Sequence, residues 1–237
     1  MKLAKSLMAG AVTAVVLGST TAMAEVSTNI GLSSDYVWRG VSQTAGGAAV
    51  SGGIDYSDES GFFAGTWLSN TDFDSRDADG ARTGESNEVD LYLGYAGEAG
   101  DLGYSVTYNY YLYPTVDDAN FGELLLDFSY NIFAAGVSYT VNSEVDEPGV
   151  LVEGDAHYYF GAGFDLGNDW GLGLTYGYYD FDYDGDADVG DVSYGYFQVD
   201  LSKSYGDWGD ITISLSDADE ESGEEDPLAW ISWTKTF

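Results

Sequence analysis

The chain has 237 residues, with seven Lys+Arg against 41 Asp+Glu and a formal net charge of −34. That charge repels nucleic acid and anionic lipid surfaces, so no nucleic-acid partner is expected. The lack of cysteine excludes disulfides, zinc–thiolate sites, thiol catalysis and a lipidated cysteine terminus. High net charge usually points to disorder, but 16% aromatic residues, 20 Tyr, 32 Gly and only three Pro point to a β-protein with many turns. Unpaired acids cannot fill an apolar core, so they belong in loops or against water.

The first 24 residues read as a cleaved signal peptide. Lys2 and Lys5 precede an apolar run from Leu7 to Leu17, and Ala22-Met23-Ala24 gives the small-x-small cleavage pattern. The run is too short for an ordinary membrane helix. Without the two leader lysines, five basic residues oppose 41 acidic ones, and the net charge becomes −36.

From Glu25 to Phe237 the chain reads as one all-β domain. Apolar and polar residues alternate with period two in pieces of about ten residues, the pattern of membrane-spanning strands. In chain order the expected strands are 26–39, 48–56, 61–69, 87–97, 101–112, 121–130, 132–141, 152–163, 170–180, 193–203, 209–217 and 228–237. The clearest is Ile211–Ser216, where Ile211, Ile213 and Leu215 share one face and Thr212, Ser214 and Ser216 the other. Short turns near Asp58–Ser60, Glu98–Gly100, Asn131, Leu166–Asp169 and Tyr205–Trp208 alternate with longer connections at Val41–Gly47, Asn70–Ser86, Pro114–Asn120, Asn142–Leu151, Phe181–Val192 and Ala218–Pro227. This is the rhythm of an up-and-down antiparallel transmembrane β-barrel of about twelve strands, with short periplasmic turns and long acidic outer loops.

The two faces argue for a membrane rather than a soluble sandwich. A solvent face would carry Lys beside the acids, whereas the polar parity here is Gly, Ser, Thr, Asn and acids. Tyr36, Trp38, Tyr110, Tyr178 and Trp233 fall near strand ends, where the headgroup layer suits rings with a polar tip. The terminal Phe237 resembles the assembly signal read by the outer-membrane assembly machinery, although Lys235 stands where that pattern favours an apolar residue. The expected location is the cell outer membrane, with lipid and lipopolysaccharide as surroundings.

Three stretches also carry a resemblance: Leu32-Ser-Ser-Asp-Tyr-Val-Trp-Arg-Gly-Val-Ser-Gln-Thr44, Gly61-Phe-Phe-Ala-Gly-Thr-Trp-Leu-Ser-Asn70 and Glu88-Val-Asp-Leu-Tyr-Leu-Gly-Tyr95. With Gly52–Tyr56 and Tyr110–Pro114 they resemble the TorF family of porins over the first half of the mature chain. The resemblance implies an outer-membrane barrel that passes small hydrophilic solutes.

Strand parity places Asp35, Arg39, Asp55, Glu88, Asp90, Tyr92, Asn109, Glu123, Asp127, Glu153, Asp155, His157 and Asp200 on the inner face as pore-lining candidates. On the first strand, Ile30, Leu32, Tyr36 and Trp38 take the lipid side. An acidic bore favours cations. The alternative is a non-conducting structural or adhesive barrel whose interior is packed, with Arg39 bridging carboxylates.

No enzymatic activity, cofactor or metal centre is expected. His157 is the only histidine and has no serine near it on its face, so the lipase constellation is missing. An acid beside it, Asp155 or Glu153, is its expected partner. Asp180–Asp188 has calcium-like carboxylate spacing without the downstream Glu. With Asp217–Asp226 it reads as a solvated acidic rim, the sharper alternative being weak divalent-ion binding to lipopolysaccharide.

Overall fold

A computed structural model describes residues 24–72, 85–145, 149–182 and 192–237. The leader before Ala24, most of the Asn70–Ser86 connection and the Asp184–Asp188 part of the calcium-like stretch lie outside the described residues. No helix among them is long and apolar enough to cross a membrane, which says nothing of strands.

Alternating apolar residues with few prolines make long extended segments, and glycine or asparagine ends them. The strands are β1 (Glu25–Ser33), β2 (Val37–Trp38), β3 (Val41–Ser42), β4 (Ala49–Ser57), β5 (Phe62–Asp72), β6 (Glu85–Ala99), β7 (Leu102–Leu112), β8 (Phe121–Tyr130), β9 (Phe133–Ser143), β10 (Ala156–Gly167), β11 (Trp170–Asp180), β12 (Tyr194–Ser204), β13 (Asp210–Ala218) and β14 (Leu228–Thr236). β1 and β4–β14 form a closed barrel of twelve antiparallel strands, and β2–β3 are a separate two-stranded hairpin. Closure is made by β1, which pairs with β4 over Glu25–Ser33 and with β14 over Asn29–Ser33.

The short connections gather on one rim with Glu25 and Phe237, and the long ones on the other. At the short rim, Asn168 and Asp169 both take positive φ, 52° and 63°, and join β10 to β11 in a two-residue turn. That is the twist-matched hairpin geometry. Eleven of the twelve expected barrel strands fall within a few residues of the observed ones.

The first strand does not. It ends at Ser33 rather than continuing to residue 39. The chain then turns inward, and Asp35–Thr44 fold into the barrel, while Ala45, Gly46 and Ala48 are exposed at the long-loop rim before β4 begins. Of the expected outer loop Val41–Gly47, Val41–Thr44 therefore belong to an internal element, and Ala45 and Gly46 are exposed at the long-loop rim. Tyr36 is 7% exposed and sits edge-on to Trp67 at 5.4 Å; Trp38 packs on Tyr111, Phe121 and Tyr179. Neither residue reaches the outer face. The alternation that suggested a lipid-facing strand is that of a small hairpin.

The outer surface is largely apolar, with Leu32, Val50, Leu68, Leu93, Leu126, Phe160 and Ile213 exposed. The inner surface is polar with large rings set against glycines. Gly94 faces Phe63 and Gly177 faces Tyr196 across the ladder. A Cβ on Gly177 would lie 2.3 Å from the Tyr196 ring. Gly177→Val should therefore force the Tyr196 ring out of place, at about 1–3 kcal/mol. The folded wild-type protein should show a β-type circular dichroism spectrum in detergent and heat-modifiable gel migration. The variant's folded band should convert at a lower temperature, and an unchanged conversion temperature contradicts the packing described.

Candidate functional site: an inward hairpin in an acidic lumen

The hairpin is built around a two-residue turn. Val37 pairs with Ser42 and Trp38 with Val41, leaving Arg39 and Gly40 at the tip with φ of 51° and 86°. Both central residues of this turn type need positive φ. Gly40 adopts it freely, and its bare Cα lies against Tyr196, where an added Cβ would approach to 2.8 Å. Arg39 adopts it at a cost in backbone strain. At the hairpin's base, Asp35 accepts hydrogen bonds from Ser42 Oγ at 2.7 Å and Thr44 Oγ1 at 2.8 Å.

The tip meets one glutamate. Arg39 Nη1 and Nη2 donate to Glu123 Oε1 and Oε2 at 2.8 and 2.7 Å. Tyr111 donates to the same carboxylate at 3.0 Å. Glu123 is fully buried and Arg39 is 8% exposed. The guanidinium lies over Trp38 at 4.1 Å and Tyr179 at 4.9 Å. Tyr194 donates to the Arg39 carbonyl at 3.0 Å. A bidentate pair wrapped in rings is the geometry in which arginine is worth most. These contacts come from the long-loop ends of β7, β8, β11 and β12, so the hairpin narrows that half of the barrel.

Nearer the long-loop rim, Glu88 accepts from Tyr36 and Tyr113, each at 2.7 Å. The acidic β13–β14 connection folds over the hairpin, with Glu224 Oε1 accepting the Ser42 amide at 2.8 Å. On the far side, Asp55 is held by Tyr92 and by Asn29 at 3.2 Å. Asp127 is held by Tyr159 at 2.8 Å and Ser105 at 3.2 Å, and Asp200 by Ser214 at 2.6 Å and Gln198 at 3.0 Å. Asn109 donates to Asp90 Oδ2 at 3.3 Å, while Asp90 Oδ1 has no partner among the described residues. The interior carboxylates are thus met by hydroxyls and amides. Arg39 alone meets one as a cation among the described residues.

Twelve of the thirteen candidate residues lie inside the barrel or at its inner rim. Glu153 does not: it is exposed in the connection before β10, which starts at Ala156 rather than at residue 152. Asp155 lies in the same connection and accepts from the amides of Val152 and Asp182 at 3.0 and 2.9 Å. Burial there raises its carboxyl above the usual range. His157 pairs with neither acid. Its Nε2 lies 3.2 Å from the Tyr196 hydroxyl, and the two rings stack at 5.9 Å. Parity extended one step further along each strand reaches the interior rings Tyr111, Tyr179, Tyr194, Tyr196 and Trp230, which the sequence reading leaves out. Arg39-Gly40 between alternating residues was the available signal for the hairpin. Among the described residues no group of three or more His, Asp or Glu is placed to hold a metal ion.

Removing one member of a buried ion pair leaves an uncompensated charge, which costs about 3–5 kcal/mol, whereas replacing both can be neutral. Glu123→Ala should lower folded stability by about that amount, and Arg39→Met with Glu123→Leu should recover most of it. Urea unfolding in detergent followed by tryptophan fluorescence reads this; an additive double variant contradicts a direct coupling.

Comparison with solved structures places the barrel among porin folds. The chain is similar to the KdgM porin, with a TM-score of 0.55, 8% identity, and 89% of this chain and 98% of that one covered. A second structure, KdgM porin in complex with disordered oligogalacturonate, gives a TM-score of 0.53 at 8% identity, covering 91% and 98%. No curated protein matches the sequence. Residues 18–225 match the model of the family described as "Bacterial protein of unknown function (Gcw_chp)", and the chain belongs to that family.

Proposed function

We propose that this protein is an outer-membrane, porin-like channel for passive diffusion of small hydrophilic solutes, with a preference for cations. The short-turn rim faces the periplasm and the long acidic connections face outward. The β2–β3 hairpin is the constriction. The resemblance of Leu32–Thr44 and the segments after it to the TorF porins, together with the porin fold, supports the channel class.

One observation carries the selectivity. Asp55, Asp90, Asp127 and Asp200 face the interior and take their hydrogen bonds from neutral groups, so no neighbouring cation among the described residues cancels their charge. A narrow low-dielectric bore lined this way concentrates cations and repels anions. The oligogalacturonate named with the KdgM porin is a polyanion, and this interior is poorly suited to one. Phe237 at the end of β14 serves the assembly machinery, and outer-leaflet lipopolysaccharide surrounds the long-loop rim.

A second reading is a non-conducting barrel. It is favoured by the complete burial of Phe121 and near-complete burial of Tyr111 and Tyr179 around the hairpin tip. Planar-bilayer recording separates the two. The channel reading expects discrete conductance steps and a cation-selective reversal potential in a potassium chloride gradient. The preference should fade above physiological salt, where the Debye length falls below about 8 Å. Glu88→Gln with Asp90→Asn should reduce it, and Arg39→Ala should raise both conductance and cation preference. Silence from inserted, folded protein favours the packed barrel, and an anion-selective potential at low salt contradicts the acidic lumen.

A further inference from the structure

The acids of the inner wall are not equally well met. Glu123 is held by Arg39 and Tyr111, and Glu88 by Tyr36 and Tyr113. Asp55, Asp127 and Asp200 each accept from two side chains. Asp90 is 5% exposed and has one donor, Asn109 Nδ2, at 3.3 Å from its Oδ2. Its Oδ1 has no hydrogen-bond partner among the described residues, and neither has Oδ1 of Asn109, which is 1% exposed.

The two side chains share the inner face of adjacent strands. In the β6–β7 ladder Asp90 pairs with Tyr111 and Tyr92 with Asn109, so Asp90 and Asn109 are diagonal neighbours, close enough to interact. Asn109 pairs in turn with Glu123 across the β7–β8 ladder, which sets the pair level with the hairpin tip. The cation at that level, Arg39, is engaged by Glu123. Carboxylate and amide oxygens can only accept. Two touching side chains therefore bury two acceptors and one charge with nothing positive against them, an arrangement that is costly unless a cation supplies the missing partner.

We propose that Asp90 Oδ1 and Asn109 Oδ1 bind one alkali-metal cation, sodium or potassium, at the level of the hairpin tip. The inference rests on the cation preference proposed above and gives the cation a resting place beside the constriction. One carboxylate and one neutral carbonyl suit a single positive charge, with water completing the shell. A calcium ion takes about six to eight oxygens, several of them charged, and no acidic group of that kind is present among the described residues.

The test is urea unfolding of the intact barrel in detergent, followed by tryptophan fluorescence. Sodium or potassium chloride replaces N-methylglucamine chloride at constant ionic strength, so that screening is the same throughout. A ligand that binds only the folded state raises the midpoint as its concentration grows. The alkali salts should raise it to a plateau. Asp90→Asn, which keeps the shape and removes the charge, should abolish the rise, and Asn109→Leu should move it to severalfold higher concentration. Wild-type midpoints that agree in all three salts overturn the proposal whatever the variants do, and so does a rise that persists in both variants. A carboxylic-acid infrared band in the wild type at neutral pH that Asp90→Asn removes also overturns it, because a proton then takes the cation's place. Conductance does not enter this measurement. A silent barrel that shows the rise contradicts the channel alone, and a cation-selective channel without it contradicts the site alone.

Discussion

Closure through β1 is the constraint on which everything else here depends. An open strand edge leaves a row of unpaired N–H and C=O groups, and hydrocarbon offers nothing to satisfy them. β1 pairs on both sides, with β14 and β4. Once the ring is closed, period-two alternation sorts every residue to one side or the other. A slip of one residue would exchange the leucines for the acids. The charge of the chain then has only three places to go: the two rims and the interior.

Closure also explains the hairpin. β1 and β4 are neighbours in the ring, yet fifteen residues separate the end of one from the start of the other. A connection of that length between adjacent strands must project outward or fold back into the barrel. Tyr36, Val37 and Trp38 are too apolar to favour water, and the interior offers Tyr111, Phe121 and Tyr179 to cover them. Arg39 travels with them to the tip. Its burial is tolerable because Glu123 is already fixed on β8 at the matching position. The hairpin, the ion pair and the ring cluster are one unit, since each would be costly without the others.

Much of this is legible in sequence because barrel strands obey a local rule. Alternation, turn residues and length locate eleven of twelve strands, and parity alone puts Asp55, Glu88, Asp90, Asn109, Glu123, Asp127 and Asp200 on the inner face. The rule fails where a segment leaves the ring. Asp35–Ser42 alternates as a strand does; Arg39-Gly40 is the local mark of a turn, but nothing local tells that Trp38 faces a ring cluster supplied by residues more than seventy positions away rather than lipid. Glu153 and His157 fail for a related reason. The strand there begins at Ala156, so an acid four residues before the histidine lies in a connection, and the Tyr196 hydroxyl on a strand two places away in the ring takes its place. Partners across the barrel are set by ring closure and curvature, which a linear pattern does not encode.

The way the interior treats its carboxylates links this fold to the cation preference proposed for it. A lysine opposite each acid would satisfy it equally well and leave no field. Tyrosine, serine and amide donors satisfy the oxygens without bringing a positive charge of their own. Tyrosine has a further advantage, since its ring fills volume in a barrel of twelve strands as its hydroxyl reaches the acid. Tyr92 does this for Asp55, Tyr159 for Asp127, and Tyr36 with Tyr113 for Glu88. The abundance of tyrosine and the scarcity of lysine are therefore two sides of one solution. The side chains that fill the interior also orient its acids, and Arg39, the one interior arginine among the described residues, is spent on holding the hairpin in place.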